Sequence, residues 1–196
     1  MSTLYIAGIA MTVFGRHLER SLDDLAGEAL QSALKDANCQ ISDLGAAFYA
    51  GMTNGPLQGQ ISIPGQVVMS KIGISGIPVY NVENACASGS TAFNLAVQCL
   101  KAGTTDVALA IGAEKMNIAD KAKAFSIFEG GWDVSRAEEN YQTLVKMGEG
   151  ITPPPGTQSD KPFSKFMEIY AALCRFHMKT YGTTQRQIAA VCAKNH

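Results

Sequence analysis

A cysteine stands where an extended apolar segment gives way to a helix, and a second apolar segment follows that helix. The first segment is Pro78-Val79-Tyr80-Asn81-Val82, leading through Glu83-Asn84-Ala85 to Cys86. Small residues, Ala87-Ser88-Gly89-Ser90, precede a helical pattern over residues 91–100. Gly103 suits a left-handed helix end, and Val107-Ala108-Leu109-Ala110-Ile111 is the next apolar run. Strand, helix, strand in this spacing predicts a parallel pair joined by a right-handed crossover. That unit needs a sheet covered on both faces, so it places the chain in the α/β class.

The place of Cys86 carries chemical meaning. The first turn of a helix leaves backbone N–H groups without partners and sits at the positive end of the helix dipole. Such a setting favours a thiolate nucleophile, and the same N–H groups can hold a developing oxyanion. Ser88 and Gly89 shape the helix start and keep the approach uncrowded. On the residues alone, a second reading stands equally: a buried, inert cysteine filling space where strand meets helix.

Composition narrows the field. With 196 residues, 46% hydrophobic and 17% charged, the chain can bury a sizeable core and does not read as disordered. A net charge of -1 gives no reason to invoke nucleic acid or an acidic membrane surface. Cys39, Cys86, Cys99, Cys174 and Cys192 are widely spaced, which suggests neither a metal cluster nor a disulfide framework. No apolar run is long enough to cross a bilayer, and the N-terminus does not read as a secretory signal.

Along the chain, residues 4–10 read as a buried strand with a close backbone approach at Gly8. Ser21 and Asp24 form a capping box ahead of an apolar stripe at Leu22, Leu25, Ala26, Ala29, Leu30, Ala33 and Leu34. Residues 46–52 form a second strand, Thr53-Asn54-Gly55-Pro56 a turn, and residues 65–73 a short helix. Residues 121–150 are richer in charge and glycine and read as irregular, ending before three consecutive prolines at 153–155. A helix over 164–181 buries Phe166, Met167, Ile169, Tyr170, Leu173, Cys174 and Phe176 on one broad side and stops at Gly182. Thr184 and Gln187 cap another, whose stripe begins with Ile188, Ala189, Val191 and Cys192.

The block Asn81-Val82-Glu83-Asn84-Ala85-Cys86-Ala87-Ser88-Gly89-Ser90-Thr91-Ala92-Phe93, followed by Ala110-Ile111-Gly112-Ala113-Glu114-Lys115-Met116, resembles the nucleophile region of the thiolase superfamily. It is most similar to sterol-carrier-protein-type thiolases, and the resemblance runs from Ile6-Ala7-Gly8 to Ala193-Lys194-Asn195-His196. The resemblance implies the N-terminal half of a thiolase-like fold: a mixed, mainly parallel sheet flanked by helices, plus an irregular loop domain. Residues 1–116 would be the core half with the nucleophile and 117–163 the loop domain. Residues 164–196 would return to the core and stop before the C-terminal half.

The resemblance further implies reversible Claisen cleavage of a 3-oxoacyl-CoA through an acyl group on Cys86. The Cys86 N–H would serve the oxyanion hole, and Met116 would lie near the acyl pocket. Coenzyme A is then a substrate, and neither metal nor redox cofactor is required. Lys115, Lys121, Lys123, Arg136 and Lys146 are candidates to meet its phosphates, though each reads singly as a solvated surface residue. The family's activating histidine and second cysteine belong to the other half, and none of His17, His177 and His196 can be assigned to Cys86. The chain therefore reads as incomplete and inactive alone. The complete protein would be a homodimer or homotetramer, or would pair with a second chain supplying the C-terminal half. Its expected place is the cytoplasm, with peroxisome or mitochondrion as alternatives. Two rival functions stand beside this one. One is a thiolase-like aldolase for steroid side-chain CoA esters, against which Cys86 argues. The other is a non-catalytic partner subunit.

Overall fold

A computed structural model describes residues 3–153, 156 and 164–195. They pack into two units, Met1–Ile127 and Phe128–His196. The division falls within residues 121–150, the stretch that the sequence reads as irregular.

The first unit is built on three parallel strands. They are β1 (Ala46–Ala50), β2 (Val79–Val82) and β3 (Ala108–Gly112), in the spatial order β2-β1-β3. The expected strand–helix–strand unit forms, and its strands run parallel, but β1 lies between them and pairs with both. All five residues of β1 are buried, as a central strand covered on both faces requires. Period-two alternation sorts them. Ala47 and Tyr49 join Ala26, Leu30 and Leu34 of helix α1 (Leu22–Ala37), Val68 and Met69 of helix α3 (Pro64–Lys71), and Ile111. Ala46, Phe48 and Ala50 join Val82 and the small faces of Ala92 and Ala96 on helix α4 (Ser88–Lys101).

Helix α1 starts as its capping box predicts. Asp24 N–H donates to Ser21 Oγ at 3.1 Å, and Ser21 N–H donates to Asp24 Oδ2 at 3.0 Å. Those backbone and side-chain bonds to Ser21, in that order, hold the Asp24 carboxyl below the usual carboxylate range, with Arg20 and Lys115 helping. A depressed folded-state pKa means stability that is present above the ordinary carboxylate pKa of about 3.9 and is lost as pH falls through the folded value. Thermal melts of the native chain and of Asp24→Ala should therefore differ at pH 7, and the difference should shrink as pH falls through the lowered folded-state value. A difference that persists undiminished in acid would contradict the linkage.

Several expectations need correction. Residues 4–10 form no strand. Tyr5 is 83% exposed, and Ile6 and Ile9 are exposed as well. The segment lies on α1 instead, where Ile9 N–H donates to Asp36 Oδ2 at 2.9 Å. The close approach at Gly8 is real: a Cβ there would sit 2.5 Å from the Ala33 carbonyl oxygen and 2.6 Å from the Ala37 nitrogen. Hydrophobicity alone does not make a strand where no ladder partner is offered among the described residues.

The turn expected at 53–56 is instead a short helix, α2 (Asn54–Gln58), since proline is tolerated in a first helical turn. Helix α4 begins three residues earlier than its apolar pattern, preceded by a 3-10 turn over Ala85–Ala87. Gly103 ends it at φ 69°, as expected. The irregular reading of 121–150 misses two helices, α5 (Lys121–Ser126) and α6 (Ala137–Lys146). Asp120 caps α5 by accepting from the Lys123 N–H, and Glu138 and Glu139 stabilise the first turn of α6. These local signals outweigh the weak hydrophobic pattern. Two of the three prolines, Pro154 and Pro155, lie outside the described residues.

In the second unit, helix α7 (Lys165–Tyr181) begins at the expected Ser164 cap and packs with α6. Trp132 stacks on Phe166 with ring centroids 5.5 Å apart. The Tyr141 hydroxyl donates to the Glu168 carboxylate, and that bond first, then desolvation, pushes the phenol up to about 12. The burial forecast for α7 is only partly right: Ile169 is buried and Phe166, Leu173, Cys174 and Phe176 are half-buried, while Met167 and Tyr170 are exposed and the buried Ala172 is not among the residues expected. Helix α8 (Gln185–Asn195) follows the expected Thr184–Gln187 box but buries none of its stripe. No helix among the described residues is long and apolar enough to cross a membrane.

Candidate functional site

Because the three strands are parallel and in register, their carboxyl ends open on one side. Ala50 stands opposite both Val82 and Gly112, so the segments that follow emerge level with one another. That edge of an open α/β sheet is where such folds place their ligands. It carries residues 51–54 after β1, 83–86 after β2 and 113–116 after β3, which includes Cys86 and Met116.

The three segments are tied together. Gly51 N–H donates to Val82 O at 3.2 Å, and Ala113 N–H to Ala50 O at 3.4 Å. The Tyr49 hydroxyl donates to Ala113 O at 3.1 Å and accepts from Asn54 Nδ2 at 2.7 Å. Burial pushes the Tyr49 phenol above its ordinary value, against the smaller lowering effect of Asn54. Met52 N–H donates to Glu114 Oε1 at 2.6 Å, and the Lys115 ammonium donates to the carbonyls of Leu18 and Arg20. Thr53 and Asn54 are buried, and Thr53 Oγ1 and Asn54 Oδ1 have no hydrogen-bond partner among the described residues. Sequence reasoning misses this Tyr49–Asn54 network. A strand tyrosine five residues before an asparagine was its only signal.

Cys86 sits at the centre of the 3-10 turn and is exposed. The reading of it as buried filler is thereby removed. Among the described residues nothing accepts a hydrogen bond from its N–H. Ser88, directly after the turn, is buried, and Gly89 beside it is exposed with nothing within 4 Å of where a Cβ would lie. Met116 is half-buried after β3.

The remaining candidates do not converge on the cysteine. The His17 ring bonds to Val13 O at 2.7 Å and the His177 ring to Thr183 Oγ1 at 2.8 Å, while His196 lies outside the described residues. Most of the cations singled out for phosphate have partners inside the chain. Lys121 donates to Asn117 Oδ1 at 2.6 Å, Lys123 to Leu57 O at 3.3 Å, and Arg136 forks onto Glu139 at 2.9 and 2.5 Å. The described residues contain no cluster of metal-ligating side chains.

Comparison with known proteins agrees with this architecture. The family described as "Thiolase, N-terminal domain" matches residues 4–196. "Sterol carrier protein 2" of Gallus gallus is 30% identical over 195 residues, covering 98% of this chain and 32% of that protein. "Acetyl-CoA acetyltransferase" of Methanothermobacter thermautotrophicus is 28% identical over 197 residues, covering 100% of this chain and 45% of its own. Among solved structures, the acetyl-CoA acetyltransferase of Syntrophomonas wolfei matches 53% of this chain and 27% of its own at 26% identity, with a TM-score of 0.46. The chain thus spans less than half the length of the curated relatives it matches. With a family match from residue 4 to residue 196 over a parallel α/β sheet, the chain belongs to the thiolase family, in the part that forms its N-terminal domain.

Proposed function

We propose that this chain supplies the nucleophile of a thiolase-type acyltransferase, with Cys86 as that nucleophile. The observation that carries the reading is the exposed Cys86 with its unengaged N–H, on a tight turn at the carboxyl edge of the sheet and directly ahead of α4. In the degradative direction, Cys86 Sγ as thiolate attacks C3 of a 3-oxoacyl-CoA. The carbonyl oxygen becomes an oxyanion that the Cys86 N–H helps to hold. As the carbonyl re-forms, the C2–C3 bond breaks and its electron pair leaves on C2. Protonation of C2 releases acetyl-CoA, or propionyl-CoA from a 2-methyl substrate. The shortened acyl group stays on Cys86 as a thioester, and the thiolate of coenzyme A then takes it and frees Cys86.

The two described histidines bond elsewhere, so the proton relay is assigned to residues beyond those described. Their source is the portion that relatives carry and this chain does not match, whether on the same chain or on a partner. Met116, after β3 at the same edge, is proposed to line the acyl pocket.

The test is an intact-mass spectrum of the whole protein that carries this chain, taken with and without a 3-oxoacyl-CoA. The expected result is one acyl adduct, mapping to the peptide that contains Cys86 and released by coenzyme A. Turnover without any adduct on that peptide would overturn the assignment. Turnover that yields an aldehyde or ketone instead of a second acyl-CoA would point to the aldolase reading.

A further inference from the structure

The turn that carries Cys86 is strained, and its strain has an identifiable holder. Ala85 adopts φ 46°, a left-handed conformation that a residue with a Cβ avoids. Nothing in the side chain of alanine compensates. Three hydrogen bonds from outside the residue do. The Ala85 N–H donates to Glu83 Oε1 at 2.7 Å. The Ala85 carbonyl accepts from the Ser88 hydroxyl at 2.7 Å and also from the Ser88 N–H. The Ser88 hydroxyl in turn accepts from the Asn84 N–H at 2.8 Å. Ser88 is 5% exposed, so its side chain is fixed by packing while its neighbours in the turn face outward.

The consequence for Cys86 follows from peptide geometry. The Ala85 carbonyl and the Cys86 N–H belong to one peptide unit, and no cis peptide occurs among the described residues. In a trans peptide the C=O and N–H point in opposite directions. Ser88 draws the Ala85 oxygen inward with two donors, and the Cys86 N–H is thereby turned outward, where no described residue accepts it. We infer that Ser88 is a positioning residue: its hydroxyl clasps the Asn84 N–H and the Ala85 carbonyl, holds Ala85 left-handed, and so aims the Cys86 N–H at the site of reaction. This inference rests on the reading of Cys86 as the nucleophile.

The clasp and the strain are coupled, which makes the inference testable in the whole protein that carries this chain. The variants are Ser88→Ala, Ser88→Thr, Ala85→Gly and the double variant Ala85→Gly/Ser88→Ala. Each is followed by kcat and KM for a 3-oxoacyl-CoA and by the rate at which iodoacetamide labels Cys86. Loss of the clasp is expected to lower kcat by roughly 10- to 100-fold, with KM within about twofold, because the misaimed donor serves the transition state and not substrate binding. Ser88→Thr keeps the hydroxyl and should restore most of the rate. Glycine takes the left-handed conformation without a Cβ penalty, so the double variant should be faster than Ser88→Ala.

If Ser88→Ala does not fold, the double variant, with the strain removed, carries the same comparison against Ala85→Gly. Wild-type kcat in a folded protein lacking the Ser88 hydroxyl would overturn the inference. So would a loss confined to KM, or a double variant no faster than a folded Ser88→Ala. Iodoacetamide labelling of Cys86 in every folded variant separates this failure from the other one. A protein that turns over with Cys86 fully alkylated removes the nucleophile reading itself, whatever Ser88 does.

Discussion

Cys86→Ala is expected to lower turnover of a 3-oxoacyl-CoA by about 10⁴-fold or more, because the covalent intermediate has no other atom on which to form. The effect on the fold should be small. Cys86 is exposed and fills no part of either core cluster, so its truncation opens no cavity. Stability is expected to change by less than about 0.5 kcal/mol, as at other exposed positions. The two readouts together make the prediction sharp. Lost turnover with an unchanged melting curve identifies a chemical role. Lost turnover with a collapsed melting curve would return Cys86 to a structural one, and unchanged turnover would sink the nucleophile assignment. Among the five cysteines Cys86 is singled out by position: Cys39, Cys99 and Cys174 are partly buried, and Cys192 lies on α8.

The largest expected loss of stability is at Leu30. It is fully buried on α1 and packs in the cluster that joins α1 to Tyr49, Val68, Met69 and Ile111. Leu30→Ala removes three carbons and leaves a cavity that close-packed neighbours on a sheet cannot fill, at a cost of about 2–5 kcal/mol. That is a large fraction of the roughly 5–15 kcal/mol that holds a domain of ordinary stability. The loss should appear as a lower urea midpoint with an unchanged slope. The N-terminal segment should loosen with it, because the contacts described for it, Gly8 against Ala33 and Ala37 and the Ile9 N–H on Asp36, are all with α1. Val191→Ala is the control. Val191 is 59% exposed on α8, and its truncation should move stability by less than about 0.5 kcal/mol. Equal losses at the two positions would contradict the assignment of the core.

What could be read from the chain is what short-range chemistry sets. The caps at Ser21, Ser164 and Thr184 are each satisfied within three residues, and all three appear as expected. The run that becomes β1 is recognisable because a strand buried on both faces is continuously apolar, and those that become β2 and β3 because short β-rich runs are bounded by turn residues. The spacing from Cys86 to the helix behind it is equally local, and it is the family resemblance together with that spacing that makes Cys86 the candidate nucleophile.

The failures share a cause as well. Residues 4–10 have a strand's composition and no strand, since a ladder needs a partner that sequence does not display. Met167 and Tyr170 sit on an apolar stripe yet face outward, because burial depends on what packs opposite. Three of the lysines weighed for phosphate, Lys115, Lys121 and Lys123, spend donors on backbone carbonyls and a side-chain amide, contacts made in one case across 97 residues of chain.

By itself, then, the sequence determined the three strands, the helix caps at Ser21, Ser164 and Thr184 and the position of a cysteine at a strand–helix junction, because each depends on neighbours a few residues away. Only the tertiary structure decided that β1 would lie between β2 and β3 and that three segments would meet at one edge. It alone decided that Ser88 would be packed away from solvent, which fixes the hydroxyl that holds Ala85 left-handed three residues away. Those arrangements follow from packing and long-range hydrogen bonding, in which each residue's conformation is set by groups that its own local sequence does not specify.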